Sequence, residues 1–389
     1  MPNEQPPSSS PLRVGILGTA RIANKNIAAI FHPESGCVCS AIASRSQEKV
    51  EAFVDNWMAT RSDVVPNVDQ LRKAMLYGGD DAYDRLMNSK NVIDAVYIPL
   101  PTKLHEEWAI KALDAGLHVL LEKPVALTER SYEDMLRKAA ESHKFLMDGT
   151  MFVHSGRIQH FLKYCSDKDN LGAVDRISAD FTFCGDASFF LNDIRTKADG
   201  DPLGCVGDLG WYCVRMGLLV FESMGSKPIS AQATQYKTNE EGVPLEVQCL
   251  VRFTDDRTLS FHCSFKHNFR QRVEAVGTSR SAVLTDFVLP RDKNPSFQVH
   301  ESKYHDILEM STHNAHEVAC SEADIQAQEV CMWRKFSDIA LAIDCGSSDG
   351  RRIDHGADAA TRTSQRTMAV IAALMESIEQ EGAVIKLTV

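Results

Sequence analysis

Short apolar runs alternate with helix-like segments over the first 150 residues. The runs occupy residues 12–18, 38–43, 92–98, 118–124 and 145–152. Amphipathic or polar helical patterns separate them, through residue 30, over 47–57, over 103–116 and over 131–143. Strands that alternate with helices of this length are typical of a parallel sheet with right-handed crossovers. We therefore predict a doubly wound α/β domain over residues 12–150, with the segment "YGGDDAY" (77–83) as a loop.

After residue 150 the pattern changes to alternation with period two. Such segments cover residues 175–183, 228–237, 245–256, 258–265 and 271–287, and "TDDRT" and "GTSRS" read as hairpin turns. Helices are predicted from Gly210 to about Met224, over 324–343 and over 359–380. Residues 151–389 should therefore form an α+β domain with a large, mostly antiparallel, open-faced sheet. Its C-terminal helix could pack back on the first domain.

Composition narrows the class of protein. Of 389 residues 44% are hydrophobic and 24% charged, and the formal net charge is −11, which disfavours nucleic-acid and membrane surfaces. The Pro- and Ser-rich residues 1–11 predict a disordered tail, and no apolar run approaches the ~20 residues of a membrane span. Eleven cysteines without a CxxC pair predict reduced thiols in a cytoplasmic protein. His313, His316 and Cys320 lack a second ligand pair, so we expect no metal.

A glycine turn follows the first predicted strand and opens a helix. It reads Gly18-Thr19-Ala20-Arg21-Ile22-Ala23, a G-x-A-x-x-A variant of the dinucleotide-binding turn. Helix N-terminal amides favour a pyrophosphate there, although the second-position alanine places a methyl group where the phosphate approaches.

The end of the second strand bears on the choice of nucleotide. NAD sites place an acid there for the ribose hydroxyls, whereas this strand ends in Ser44 and Arg45. A guanidinium suits a 2′-phosphate. We predict NADP(H) rather than NAD(H).

Two neighbouring strand ends carry the candidate chemistry. One ends in Pro99-Leu100-Pro101-Thr102 and the next in Glu122-Lys123-Pro124. Ligands of open α/β sheets bind at the carboxyl ends of strands. Pro124 biases Lys123 toward an extended conformation, which would hold its amine over the nicotinamide, where a cation polarises the alcohol or carbonyl that exchanges hydride.

These motifs, with "PLPTKLHEEWAIKALDAGLHVLLEKP" and "GDLGWY", resemble the Gfo/Idh/MocA family of NAD(P)-dependent oxidoreductases over residues 12–385. The resemblance is to its eukaryotic branch, which includes plant Gfo/Idh/MocA-like proteins, trans-dihydrodiol dehydrogenase and NADP-dependent D-xylose dehydrogenase. It implies that Lys123 is the catalytic cation and that Asp208 and Tyr212, of a D-x-G-x-Y motif, supply acid/base chemistry. It further implies two contact sets: Leu100, Pro101, Thr102, His105 and Glu122 for the cofactor, and Arg195, His154, Asp208 and Tyr212 for the substrate.

Three expectations concern the environment of this site. The Lys123 ammonium should lower the pKa of Tyr212 and face a wet cleft, so that Lys123→Met changes stability little. The run Met151–Arg157 has "HSG" where plant-like relatives have "HNP", and residues 54–85 look longer than is usual in the family. The apolar positions of "LEVQCLVRF" and "TLSFHCSF" suit a buried face, through which relatives form dimers or larger homo-oligomers.

The resulting hypothesis is an NADP(H)-dependent oxidoreductase that acts on a CH–OH or C=O group of a small molecule, namely a sugar, cyclic polyol, diol or glycoside. One alternative is a redox-neutral enzyme of lyase or glycosidase type that keeps its cofactor bound. The other is a non-catalytic nucleotide-binding regulator, which would be expected to lose Lys123 or Tyr212.

Overall fold

A computed structural model describes residues 10–61, 68–291, 296–304, 311–320, 326–346 and 359–388. Residues 1–9 of the predicted tail lie outside the described residues. Within these ranges no helix combines the length and the apolarity of a bilayer span.

The first domain contains a fully parallel six-stranded sheet with strand order β3-β2-β1-β4-β5-β6. Its strands are β1 (Leu12–Leu17), β2 (Cys37–Ser44), β3 (Met75–Gly78), β4 (Ala95–Ile98), β5 (His118–Leu121) and β6 (Leu146–Asp148). β1, β4 and β5 are apolar and almost entirely buried, as expected for strands covered on both faces. The order confirms the doubly wound prediction and places its switch point between β1 and β4.

Five helices cover this sheet: α1 (Arg21–Ile30), α2 (Gln47–Arg61), α3 (Ala82–Met87), α4 (His105–Asp114) and α5 (Glu129–Glu141). The loop predicted for residues 77–83 is confirmed only at residues 79–81, because β3 extends to Gly78 and α3 begins at Ala82. β3 is a four-residue edge strand, too short to show a pattern. A Cβ on Gly78 would lie 2.2 Å from the Cα of Gln47, so the glycine is needed for the close approach of α2.

The second domain contains a nine-stranded sheet with strand order β14-β13-β12-β11-β7-β10-β9-β8-β15. Its strands are β7 (Val174–Cys184), β8 (Pro228–Thr238), β9 (Pro244–Phe253), β10 (Thr258–Ser264), β11 (Lys266–Gly277), β12 (Ser281–Leu284), β13 (Ser296–Tyr304), β14 (Ser311–Ala319) and β15 (Ile385–Lys386). Every neighbouring pair is antiparallel except β7 and β10. Both predicted hairpin turns are confirmed, and Asp255 and Asp256 adopt positive φ in the first.

The helices of this domain are α6 (Gly156–Ser166), α7 (Lys168–Leu171), α8 (Ala187–Asn192), α9 (Trp211–Glu222), α10 (Gln328–Asp344) and α11 (Ala359–Glu379). α9 and α11 pack on one face of the sheet, and Gly217 lets α9 approach Leu259 closely. Val247 and Phe261 face these helices, whereas Glu246 and His262 point to the open face. Most of the predicted apolar positions of β9 and β10, such as Val247 and Phe261, are thus buried against helices of the same chain and do not lie on the open face.

Both C-terminal helices contact the first domain. Trp333 of α10 donates its indole N–H to Asn26 of α1 at 2.9 Å. Tyr132 of α5 donates its hydroxyl to Ser364 of α11 at 3.0 Å. These four side chains are buried, so the contacts are part of the core between the two domains.

Candidate active site

The glycine turn lies at the carboxyl end of β1. Gly18 has φ +100°, a conformation that L side chains rarely adopt, and a Cβ there would lie 3.1 Å from Leu100. Ala20 precedes α1 and offers no capping side chain, and the first turn contains no acid. The first amides of α1, flanked by half-buried Thr19 and exposed Arg21 and Ile22, are therefore available to an anion. This turn fits a pyrophosphate.

The end of β2 lies on the same rim. Ser44 is buried and Arg45 is exposed. Burial raises the pKa of Tyr83 and the Arg45 guanidinium partly offsets it, which places Arg45 near that phenol. The Tyr83 hydroxyl in turn lies 3.5 Å from the Cβ position of Gly18. The residues predicted to bind the 2′-phosphate therefore lie next to the turn that is predicted to bind the pyrophosphate.

His105 ties the two strand-end loops together. Its Nε2 lies 2.8 Å from the carbonyl oxygen of Leu100, and its Nδ1 lies 3.0 Å from that of Pro124. Burial lowers the pKa of His105 to about 4, although the carbonyl contacts partly offset this, so the ring is neutral at physiological pH. A neutral imidazole carries one N–H, so one ring nitrogen donates to its carbonyl oxygen while the other only lies near its own. His105 thus lies between the loops after β4 and β5, and its role in cofactor binding stays a prediction.

Glu122 holds the backbone at the start of the loop after β5, which carries Lys123. Tyr97 donates its hydroxyl to Oε1 of Glu122 at 2.5 Å, and Oε2 accepts the backbone N–H of Lys123 at 3.2 Å. Burial raises the pKa of Glu122 in spite of these donors. The side chain thus acts on the loop conformation directly, and the peptide bond that follows, between Lys123 and Pro124, is cis.

Lys123 is an ion-paired, largely buried cation. Its Nζ donates to Oδ1 of Asp208 at 2.5 Å and to the carbonyl oxygen of Asp208 at 2.9 Å, and the two side chains are 12% and 13% exposed. The expected wet cleft around this amine is therefore wrong. Burial alone would lower the pKa of Lys123, but the carboxylate of Asp208 and the neighbouring Tyr212 raise it well above its usual range. The ammonium remains charged throughout the physiological range.

Asp208 bridges two cations. Its Oδ2 accepts from Nη1 of Arg195 at 3.1 Å, and Arg195 also makes a bidentate pair with Asp193 at 2.9 and 3.0 Å. Burial would raise the pKa of Asp208, but Lys123 and Arg195 more than offset it and hold the pKa below its usual range. Asp208 is a carboxylate at neutral pH, so it orients its partners and has no proton to donate.

Tyr212 lies beside the ammonium. Asp208 is in a π-helical turn (Val206–Gly210) and Tyr212 follows in the first turn of α9, with its ring centroid 4.8 Å from Nζ of Lys123. The predicted decrease in the pKa of Tyr212 is wrong: burial raises it well above the usual phenol value, and the opposing effect of Lys123 is smaller. The phenol therefore stays protonated, and its hydroxyl contacts Met151 Sδ at 3.7 Å.

Docking of α9 against β6 brings Asp208 to Lys123. Arg215 pairs with Asp148 at 3.2 Å, and Trp211 donates its indole N–H to Thr150 at 2.8 Å, with all four side chains buried. Neither contact is predicted by the sequence patterns. The available signal was Asp148, the polar last residue of the buried strand β6, followed by Thr150 two positions later.

His154 lies on the Arg215 side of the site, in a 3-10 turn (Met151–His154) that precedes α6. Burial lowers the pKa of His154 to about 4. The charges of Arg215 and Lys335 also lower it, whereas the carboxylate of Asp148 acts to raise it. The ring is therefore neutral at physiological pH. Ser155 and Gly156, which stand in place of the "NP" of plant-like relatives, form the start of α6.

Asp201 is a further residue of this site that no sequence pattern predicts. It is 6% exposed, and its Oδ1 has no hydrogen-bond partner. Burial raises the pKa of Asp201 to about 6, and the negative charge of Asp208 raises it too. Lys123 and a hydrogen bond from buried Thr102 act in the opposite direction and lower it. It thus lies between the loop after β4 and the Lys123–Asp208 pair. The surrounding loop "KADGDPLG" carries no motif that would have indicated it.

The sequence matches family models in both domains. Residues 12–150 match the oxidoreductase family with an NAD-binding Rossmann fold, and residues 162–283 match the GFO/IDH/MocA C-terminal domain. A dTDP-3,4-didehydro-2,6-dideoxy-alpha-D-glucose 3-reductase of Actinomadura kijaniata is 31% identical over 54% of this chain, a match that spans 57% of the relative's length. A trans-1,2-dihydrobenzene-1,2-diol dehydrogenase of Mus musculus is 25% identical over 72% of this chain and 77% of its own length.

Solved structures show the same fold. A 3-ketoreductase from Actinomadura kijaniata in complex with NADP and TDP-benzene has a TM-score of 0.74 at 22% identity, covering 94% of this chain and 98% of its own. An inositol dehydrogenase homolog from Azotobacter vinelandii, complexed with NADH and myo-inositol, has a TM-score of 0.76 at 13% identity, covering 97% and 98%. The arrangement of a Rossmann domain and an open-faced sheet is therefore shared with these proteins.

Proposed function

Because the chain belongs to the Gfo/Idh/MocA oxidoreductase family, we propose that it transfers hydride between NADP(H) and a CH–OH or C=O group of a small molecule. The substrate class is a sugar, cyclic polyol, diol or glycoside. One observation carries the proposal: the ammonium of Lys123, the carboxylate of Asp208 and the phenol of Tyr212 converge where the strand ends of the first domain meet the second.

The proposed roles follow from the charge of each group. Lys123 stabilises the negative charge that develops on the substrate oxygen, and it can do so at any physiological pH because it stays protonated. Asp208 holds the ammonium in place and, through Arg195, fixes the substrate side of the site. Tyr212 keeps its proton, so it can donate it to the alkoxide when a carbonyl is reduced. The nicotinamide supplies or accepts the hydride when it is bound.

The proposed cofactor contacts lie along the carboxyl ends of the first sheet. Gly18, Thr19, Ala20, Arg21 and Ile22 would hold the pyrophosphate, and Ser44 with Arg45 the 2′-phosphate. Leu100, Pro101 and Thr102, together with Glu122 and Lys123, would border the nicotinamide end. This divides the chain at about residue 150 into a cofactor part and a substrate part.

The test is a screen of sugars, polyols, diols and ketosugars that follows NADPH absorbance, with NADH in parallel. We expect turnover with NADPH, and its loss in both Lys123→Met and Tyr212→Phe while NADPH still binds. Product formation without a net change in NADPH would favour the redox-neutral alternative. NADPH binding with full activity in both variants would contradict the proposed site.

We further propose that the protein is a cytoplasmic homo-oligomer. The buried cysteines of the strands and helices, such as Cys39, Cys165 and Cys249, are free thiols, as a reducing compartment favours. The open face of the second sheet carries polar and charged side chains such as Gln248 and Arg272, which are only partly exposed, and the family resemblance implies that subunits pair through this face. Light scattering at micromolar concentration should give at least twice the chain mass, and a monomer mass would refute this.

A further inference from the structure

Two imidazoles and a carboxylate meet on the open face of the second sheet. Glu246 is on β9, His262 is on β10 and His267 is at the start of β11. One ligand atom from each lies within 4.8 Å of the other two. Among the residues that the structure describes, this is the one group of three His, Cys, Asp or Glu side chains with such spacing.

Strand register explains why these residues meet. Glu246 pairs with Ser264 across the antiparallel β9–β10 ladder. His262, two residues before Ser264, points to the same face, because side chains alternate along a strand. The chain then turns at Phe265 into β11, and the ring of His267 comes back within 3.0 Å of the Ser264 hydroxyl. Neighbouring Phe261 faces the π turn of the Lys123 site, so the cluster lies on the opposite face of the sheet.

The spacing suits a small transition-metal ion. Nε2 of His262 lies 3.9 Å from Oε1 of Glu246, and Nδ1 of His267 lies 4.0 Å from Oε2 of the same residue. Tetrahedral ligands about 2.1 Å from a zinc ion lie about 3.4 Å apart. The three ligand atoms now lie within 4.8 Å of one another, so side-chain rotations would have to bring them closer by up to about 1.4 Å. Imidazole ligands favour zinc, copper, nickel or iron over magnesium or calcium.

Two contacts now occupy these atoms, one from the Ser264 hydroxyl, 3.0 Å from Nδ1 of His267, and one from Lys237. Lys237 donates to Oε2 of Glu246 at 3.1 Å, but its side chain is 55% exposed, so a bound cation can displace it at little cost. His267 is 51% exposed, whereas Glu246 and His262 are 15% and 22% exposed. Two ligands are thus held by the sheet, and the third has room to adjust.

We infer that Glu246, His262 and His267 bind one divalent transition-metal ion of the zinc class, with solvent in the remaining positions. Such an ion would join β9, β10 and the first residues of β11, and binding to the folded state alone would stabilise the second domain by mass action. This site is separate from the proposed hydride transfer, and it requires no redox step.

The experiment titrates tag-free, full-length protein with Co²⁺ and follows its visible d–d absorption, then displaces it with Zn²⁺. We expect saturation at one ion per chain and a higher urea midpoint with Zn²⁺ present. Affinity should fall at least ten-fold in His262→Ala and in Glu246→Gln. Lys237→Met should bind Co²⁺ more tightly, because it removes the competing ammonium, and misfolding cannot produce such a gain.

The matched control is His313→Ala on β14. His313 forms the other close histidine pair of the described sheet, with 3.3 Å between its Nε2 and Nδ1 of His300. Retained binding in this variant supports the assignment. The inference is overturned if Co²⁺ gives no d–d absorption, if His262→Ala binds as wild type does, or if His313→Ala abolishes binding. NADPH binding in each variant reports whether the fold is intact.

Discussion

Replacing Lys123 by Met should destabilise the fold as well as stop the chemistry. The change removes the donor to Oδ1 of Asp208 and to its backbone carbonyl, in a pair whose side chains are only 12% and 13% exposed. Leaving one partner of a buried pair alone costs ~3–5 kcal/mol, and a hydrogen bond to a charged group is worth ~1.5–3 kcal/mol. Because Arg195 still pairs with Oδ2, we expect a loss of about 2–3 kcal/mol in the free energy of unfolding at pH 7.

The pH dependence of this loss has a defined sign. In the wild type the pKa of folded Asp208 lies below its unfolded value of about 3.9, so its contribution is present above that pH and is lost as pH falls through the folded pKa. Without Lys123 that pKa should rise, and protonation then removes the unpaired charge. The difference in stability between wild type and variant should therefore be largest near pH 7 and should shrink toward pH 4.

Urea unfolding at pH 7 and pH 4 measures the stability difference, and single-turnover NADPH oxidation measures the chemistry. Hydride transfer should slow by ~10²–10³ while NADPH still binds. The control is Lys138→Met, which breaks the exposed pair with Asp114 at 2.8 Å and should leave the unfolding midpoint near that of wild type. Wild-type stability of the Lys123 variant at pH 7, or a loss that does not depend on pH, would refute the reasoning.

The remaining predictions concern three other side chains. Tyr212→Phe should lower the hydride-transfer rate by ~10²–10⁴ with little loss in urea midpoint, because its hydroxyl contacts only a sulfur at 3.7 Å; unchanged rates would exclude it as proton donor. Arg45→Ala should raise the NADPH dissociation constant ~10- to 100-fold and leave that for NADH unchanged in fluorescence titrations; equal weakening of both would contradict a 2′-phosphate contact. Asp201 has a folded pKa of about 6, above its unfolded value of ~3.9, so its protonated form favours the folded state and stability should fall by roughly 2–3 kcal/mol as pH rises from 4 to 6. Urea midpoints measured across this range should show that decrease in the wild type and lose it in Asp201→Asn.

The sequence by itself determined the elements whose signals are local. Apolar runs such as 118–121 predict buried parallel strands, and period-two alternation over 245–253 predicts a strand of the second sheet. The hairpin turn at residues 254–258 and the glycine turn at Gly18 depend on backbone conformations that few residues favour. β3 escaped prediction because four residues at a sheet edge carry too little pattern.

Only the tertiary structure decided the electrostatics of the candidate site. Lys123 and Asp208 are 85 positions apart, and whether the amine faces water or a carboxylate depends on how α9 docks on β6. The pKa of Tyr212 likewise depends on the balance between burial and one nearby charge, and its sequence neighbours do not reveal that balance. Asp201 and the Glu246–His262–His267 cluster can likewise be identified only from the tertiary structure. Their partners come from separate segments, so spacing along the chain carries no sign of them until the sheet is assembled.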